Sequence, residues 1–240
     1  MSFWATSVIL SEAKESFMIK ENLQHLLTKL PSAVKLVAVS KFHPVERLME
    51  AYDAGQRLFA ESRPQELAAK VPQLPADIEW HFIGHLQTNK LKLVLPHVTL
   101  VQSVDSFHLL EAIDKWGRDN GRTIDVLLEL HLGAEETKQG FSEEEVLSVI
   151  SSEAAGGVEK SHIRIRGLMC MATNTEDEAV IDADFERIEG LFRRIREEFP
   201  QLRETFTELS IGMSQDWPIA VRHGATMVRI GTDIFGPREY

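Results

Sequence analysis

The chain has 240 residues and a formal net charge of −11, from 26 Lys+Arg against 37 Asp+Glu. Its 43% hydrophobic content supports a packed core and excludes global disorder. The acidic balance excludes nonspecific nucleic-acid binding, which needs Lys and Arg to displace counterions, but permits a local basic site for one small phosphate.

From about Phe3 to Lys29, Ile9, Ala13, Phe17, Leu23, Leu26, Leu27 and Leu30 recur at three- and four-residue steps, which predicts an amphipathic helix that Pro31 stops. Its start has no basic leader and Ser11-Glu12 break the apolar run, so the expectation is a cytoplasmic chain with no signal peptide and no membrane span. Lys35–Ser40 is a nearly continuous aliphatic run and reads as a strand buried on both faces, followed by a helix from Pro44 to Ala54 that Gly55 ends. The alternation repeats. Arg57–Ser62 reads as a second strand with a helix from about Pro64, and Ile78–Gly84 as a third with a helix near Gln87–Leu95. Thr99–Val104 is a fourth, with Asp105 or Ser106 capping a helix that ends near Gly117 or Gly121. Asp125–Leu132 is a fifth, with a helix from Ser142 whose first turn is acidic. Ile163–Ala172 is a sixth; it holds the chain's one cysteine, Cys170, in an apolar setting that suits a small buried thiol and no disulfide. A helix over Glu176–Phe199 follows and stops at Pro200, then a strand at Thr207–Ile211, a short helix near Asp216–His223 and an eighth strand at Met227–Ile230.

Eight βα units of about 30 residues predict a single (β/α)8 barrel domain over residues 1–240, with residues 1–30 as an extra helix packed on it. A doubly wound sheet would carry glycines in its first turn, which here reads Ser40-Lys41-Phe42-His43-Pro44. In a barrel, function gathers where the strands end. The polar residues there are Lys41, Glu61-Ser62-Arg63, His81 and His85, Asp105, His131, Thr173-Asn174, Ser210 to Ser214, and Arg229 to Thr232. The seventh and eighth loops are the recurrent barrel phosphate site, and Ser210, Gly212, Ser214, Gly231 and Thr232 supply hydroxyls and closely approachable amides. Barrel closure sets Lys41 beside them. A lysine following Leu36-Val-Ala-Val39 is partly buried, which favours the neutral amine that forms imines.

An amine beside a phosphate anchor points to a phosphorylated carbonyl compound: either pyridoxal phosphate (PLP) or a sugar phosphate held by a Schiff-base aldolase. Arg229 lies on the same strand face as Gly231. It donates only, so it would keep a facing pyridine nitrogen unprotonated and the ring a weak electron sink. His81 and His85 are separated by strand and turn residues and predict no metal site. Ser40 and Lys41 face opposite sides and predict no hydrolase dyad.

The sequence resembles the pyridoxal phosphate homeostasis proteins over nearly its whole length from about Leu36. The marks are Leu36-Val-Ala-Val-Ser-Lys41, Trp80-His-Phe-Ile-Gly-His-Leu-Gln-Thr-Asn-Lys90, Glu136-Thr-Lys-Gln-Gly140, Gly167-Leu-Met169, Leu209-Ser-Ile-Gly-Met-Ser214 and Val228-Arg-Ile-Gly-Thr-Asp-Ile-Phe-Gly236. The resemblance implies a fold-type III PLP barrel like the alanine racemase N-terminal domain. It implies PLP as a Schiff base on Lys41, its phosphate at Ser210, Gly231 and Thr232, Arg229 at the ring nitrogen, and His81, Ile83 and Met213 near the ring. It further implies a role in vitamin B6 balance without catalytic turnover, and apo PLP enzymes as possible recipients. Two segments depart from the family pattern. Ser62 replaces an asparagine common near the ring, and Leu128–Leu132 differs from the usual Gln-Val-Asn ending.

The alternative is a PLP enzyme such as an amino-acid racemase. That activity uses a second base, usually a tyrosine of a C-terminal β-domain, whereas here Tyr240 directly follows the eighth unit and the other tyrosine is Tyr52. With nothing catalytic demanding a second chain, a monomer is expected.

Overall fold

The computed structural model describes residues 18–132, 139–154 and 162–237. The eight strands are β1 (Lys35–Val39), β2 (Leu58–Glu61), β3 (Glu79–Phe82), β4 (Leu100–Val104), β5 (Ile124–Glu129), β6 (Ile163–Met169), β7 (Glu208–Ser210) and β8 (Met227–Ile230). They form a closed barrel in chain order, all pairs parallel, sealed by β8 on β1 with Lys35 opposite Met227 and Ala38 opposite Ile230. The predicted (β/α)8 barrel is therefore the observed fold. The helices are α1 (residues 18–29), α2 (Val45–Asp53), α3 (Pro64–Lys70), α4 (Leu91–Val94), α5 (Phe107–Asn120), α6 (Glu143–Ala154), α7 (Glu178–Glu198), α8 (Trp217–Arg222) and α9 (Thr232–Phe235).

Strand alternation divides the core into two layers. Leu36, Ala38, Phe59, Trp80, Val126 and Leu168 point outward into a large layer beneath the helices. Val37, Ala60, Leu100, Leu127, Met169 and Met227 form a separate cluster inside the barrel. Both faces of the strands are thus dry, which is why they read as unbroken apolar runs.

Local signals set the helix ends. The Ser106 hydroxyl accepts from the Leu109 amide and caps α5, which Gly121 ends. Ser142 and Glu145 cap α6 reciprocally: the Ser142 amide donates to Glu145 Oε2 (2.8 Å) and the Glu145 amide to Ser142 Oγ (3.2 Å). In α1, Ile19, Leu23 and Leu26 are buried, as is Leu30 just after it, and Asn22 Nδ2 donates to the Ile234 carbonyl (3.1 Å), which docks this helix beside α9. The part of the predicted first helix before residue 18 lies outside the described residues, as do Glu136 to Lys138 of the family-like segment and Tyr240. Boundaries shift modestly elsewhere: β5 stops at Glu129, so His131 lies beyond it, and the helix expected near Gln87–Leu95 is a 3-10 turn, Thr88–Lys90, running into α4.

Candidate functional site

The end of β1 divides its two last polar residues between the barrel's faces. Ser40 is fully buried and turned outward, its hydroxyl donating to Glu61 Oε1 (2.7 Å). Lys70 Nζ, from α3, donates to the Ser40 carbonyl (2.9 Å), to Glu61 Oε1 (2.7 Å) and to Glu66 Oε1 (2.7 Å). Glu61 was expected at the mouth; alternation along β2 instead turns it outward, where burial raises its carboxyl above the usual range and Lys70 offsets only part of that. Lys41, the next residue, takes the opposite face and is half-buried at the barrel mouth. Phe42 then adopts a left-handed backbone (φ 69°), costing about 1–3 kcal/mol, and is the one non-glycine to do so among the described residues. Its amide donates to Glu66 Oε1 (2.7 Å), and the Arg63 guanidinium lies 4.2 Å from its ring. The outer cluster therefore holds the strained turn that begins at Lys41.

A second polar group crosses the barrel interior. Arg229, 4% exposed on β8, donates through NH1 to the Ser210 carbonyl (2.7 Å) and hydroxyl (2.8 Å), and through NH2 to the Cys170 carbonyl (2.7 Å). The Ser210 hydroxyl donates onward to Gln102 Oε1 (2.6 Å), so the Gln102 amide nitrogen faces His81 Nδ1 (2.7 Å) as a donor. The chain runs one way, from Arg229 through Ser210 and Gln102 to His81, and leaves the imidazole proton on Nε2. Burial pushes the His81 imidazole down to about 3, so it is neutral near pH 7. Ile83, two residues on, is partly buried against the inner cluster. The Cys170 thiol is fully buried and pushed up by that burial, an inert group as expected.

The loops after β7 and β8 meet beside β1. Gly212 has φ 91°, and a Cβ there would lie 2.6 Å from that of Ala220; a Cβ on Gly231 would lie 3.0 Å from the Val39 carbonyl oxygen. At Gly212 the positive φ and the close approach call for glycine, at Gly231 a side chain would be tight, and the Arg229 amide ties the loops by donating to the Gly212 carbonyl (2.9 Å). Thr232 is exposed at the start of α9. The Ser210 hydroxyl is not in these loops: it is fully buried and held by Arg229 and Gln102. Ser62 lies against the loop after β3, so close that a Cβ on Gly84 would fall 2.1 Å from its carbonyl oxygen.

A cavity of about 280 Å³ opens over the ends of β5, β6 and β7. Its walls include Glu129, His131, Thr173, Asn174, Met213 and Asp216. Glu129 is 9% exposed, and burial with the nearby Asp105 charge pushes its carboxyl up to about 7, against a smaller opposing effect of Arg229. Sequence reasoning stopped at His131 and missed Glu129, although the same-face spacing of Leu127, Glu129 and His131 carried the signal. Gln102 was missed too; a glutamine within the apolar run Leu100–Val104 was its only trace. His85 bonds Asp105 through Nδ1 (2.9 Å) and shares no site with His81. No cluster suited to a metal ion occurs among the described residues.

The donor set fits PLP. An amine at Lys41, two apposed glycine loops with a hydroxyl at Thr232, and a buried guanidinium surround one end of the barrel. Arg229 spends three of its five N–H donors on Ser210 and Cys170, which leaves two for a further acceptor.

The chain is similar to known proteins over most of its length. The family model for the alanine racemase N-terminal domain matches residues 17–239. A pyridoxal phosphate homeostasis protein of Pasteurella multocida is 36% identical over 228 residues, covering 92% of this chain and 95% of its own. One of Schizosaccharomyces pombe is 33% identical, covering 85% and 84%. PipY of Synechococcus elongatus PCC7942, solved with PLP bound, is 38% identical with a TM-score of 0.82, covering 91% of this chain and 100% of that one. Alanine racemase of Corynebacterium glutamicum, 17% identical with a TM-score of 0.71 over 92% of this chain and 62% of that one, shares the fold.

Proposed function

The chain belongs to the pyridoxal phosphate homeostasis family, and from that premise we propose that it binds PLP at Lys41 and serves intracellular vitamin B6 balance. The observation that carries the reading is the meeting of Lys41, the Gly231 loop and Arg229 at one end of a closed barrel. PLP supplies an aldehyde that condenses with a primary amine, and a pyridine ring whose pull on electrons depends on its protonation.

The chain's own residues take the following parts. Lys41 offers the amine from a turn fixed by Glu66, Lys70 and Glu61. Gly231 and Thr232 receive the phosphate. Arg229 gives a spare N–H to the ring nitrogen and has no proton-accepting capacity, so it holds that nitrogen unprotonated. Ser210 serves this group by orienting Arg229. His81, neutral and fixed with its proton on Nε2, offers a donor near the ring together with Ile83 and Met213.

A weak electron sink fits racemase-like proton exchange or no turnover at all, and what favours the second is that the relatives are named as homeostasis proteins. We therefore read the chain as a non-catalytic carrier, a single unit over residues 1–240, monomeric and cytoplasmic, with apo PLP enzymes as recipients. No helix of the described residues is long and apolar enough to cross a membrane.

The test is chemical. Protein incubated with PLP turns yellow, and borohydride reduction followed by digestion and mass spectrometry finds the pyridoxyl group on the peptide carrying Lys41. Retention of a stoichiometric adduct in Lys41→Ala would remove the assignment. Steady conversion of L-alanine to D-alanine, lost in Lys41→Ala, would replace the carrier reading with a racemase.

A further inference from the structure

We propose that the cavity over the ends of β5, β6 and β7 is a binding site for a small primary amine, whose ammonium group pairs with Glu129 while its carbon chain lies against the apolar wall. The cavity is several times the ~30 Å³ that one water occupies in the liquid. Its described walls divide by chemistry. Leu132, Met171, Ala172 and Ile181 give apolar surface, and Glu129 and Asp216 give two carboxyls. Among the described residues no lysine or arginine lines it.

Of the cavity's two acids, Glu129 is the one whose carboxylate has no hydrogen-bond partner among the described residues. It is 9% exposed, on the inner face of β5. Asp216 differs, because its carboxylate already accepts from the Met213 amide at the turn before α8. A buried carboxylate without donors is costly, and a ligand that brings a positive charge and three N–H donors relieves that cost. A carboxylate or phosphate ligand would meet two acids in the same space. An alkylammonium meets a matched charge at one end and methylene-sized apolar surface at the other.

The site depends on Glu129 being ionised. Burial raises its carboxyl pKa most, Asp105, just after β4, raises it further and Arg229, from β8, lowers it; His131 on its own segment, Asp216 after β7 and the buried Cys170 thiol are the other titratable groups around it. With burial they leave it near 7, while a primary alkylamine stays cationic throughout the neutral range. Affinity should therefore climb roughly tenfold from pH 6 to pH 8 as the carboxylate forms.

The inference does not rest on the cofactor reading, although Met213 lines this cavity and also stands near the proposed ring position, and its test therefore uses full-length protein freed of PLP, with n-butylamine as probe. Calorimetry and saturation-transfer NMR should show saturable binding that strengthens roughly tenfold between pH 6 and 8. Glu129→Gln should weaken it at least tenfold at pH 8 and flatten the pH dependence. Butan-1-ol, with the same chain and no charge, should bind far more weakly to the unaltered protein, a comparison that needs no variant to fold. No binding of butylamine, equal binding of butan-1-ol, or an affinity unchanged in Glu129→Gln would each overturn the proposal. Failure here leaves trapping at Lys41 unaffected, and failure of that trapping leaves this result standing.

Discussion

Inside the barrel, polar groups are buried in two ways. Across β3, β4, β7 and β8, Arg229, Ser210, Gln102 and His81 form a directed chain in which each donor finds an acceptor between 2.6 and 2.8 Å. On β5, Glu129 is almost as deeply buried and has no donor among the described residues. The chain has been made neutral and rigid at its His81 end, so it is a device for holding fixed orientations. Glu129 has been left to titrate near neutrality, so it responds to its surroundings. The same burial that costs the closed chain little costs the open carboxyl a great deal, so the carboxyl has more to gain from a cationic ligand than the closed chain has from an acceptor.

The largest expected effect tests the closed half. His81 is pushed from 6.5 to about 3, so the unfolded chain binds the proton that the folded one refuses. Stability from this residue is fully present above pH 6.5 and falls as pH drops toward 3, by up to about 5 kcal/mol at ~1.4 kcal/mol per tenfold in proton affinity. Urea unfolding of cofactor-free protein at pH 7 and pH 3.5 measures it against His81→Gln, which keeps an acceptor for Gln102 and removes the titration. Identical acid sensitivity in both proteins would show that the chain does not hold His81 neutral.

Next in size is the outer cluster behind Lys41. Lys70→Met leaves the buried Glu61 and the partly buried Glu66 without their cation, and should cost about 3–5 kcal/mol in urea unfolding. Adding Glu61→Gln should recover part of the loss, because the remaining charge is then one fewer. If Lys70→Met costs under 1 kcal/mol, the cluster is no anchor for the strained Phe42 turn.

Glu129 is third and opposite in sign. Its folded pKa, about 7, lies above 4.5, so its favourable state is the protonated one. The unaltered protein loses up to about 3 kcal/mol between pH 4.5 and pH 7 through this group. Glu129→Gln should thus stabilise the ligand-free protein at pH 8 by up to that amount and have almost no effect at pH 4.5. A substitution that destabilises at both pH values would mean that Glu129 has partners the comparison denies it.

The barrel was legible in the sequence because doubly buried strands are apolar throughout and each is followed by a helix with its own stop: Pro31, Gly55, Gly121 and Pro200. The meeting of the Gly212 and Gly231 loops with the end of β1 was legible for the same reason, since knowing where strands end fixes which residues meet. Gln102 and Glu61 were not. Whether a polar residue near a strand end points in or out depends on a one-residue register, and β4 carries an irregularity between Val101 and Val104 that shifts it. Ser210 shows the same limit. Its place before Gly212 suggested the phosphate loops, but on the inward face of β7 its hydroxyl accepts from Arg229 and donates to Gln102.

The smallest effect lies outside the barrel and calibrates the comparison, because it shows a histidine that water can still reach. His223 follows α8 and meets Glu189 Oε2 through Nδ1 (3.0 Å) and Asp182 Oδ1 through Nε2 (3.1 Å). Burial alone would pull its pKa down, but the bonds and charges of Asp182 and Glu189 outweigh it and the net direction is upward. The sign is therefore opposite to that of His81: the contribution is fully present below pH 6.5 and fades as pH rises through the folded value. Ion pairs near the surface are worth only about 0.2–1 kcal/mol, so His223→Gln should cost no more than that at pH 5.5 and less still at pH 9. NMR titration of the two imidazoles tests the contrast directly. His223 should titrate above 6.5 and His81 should show no titration down to pH 5; if both moved together, burial within the barrel would not be what separates them.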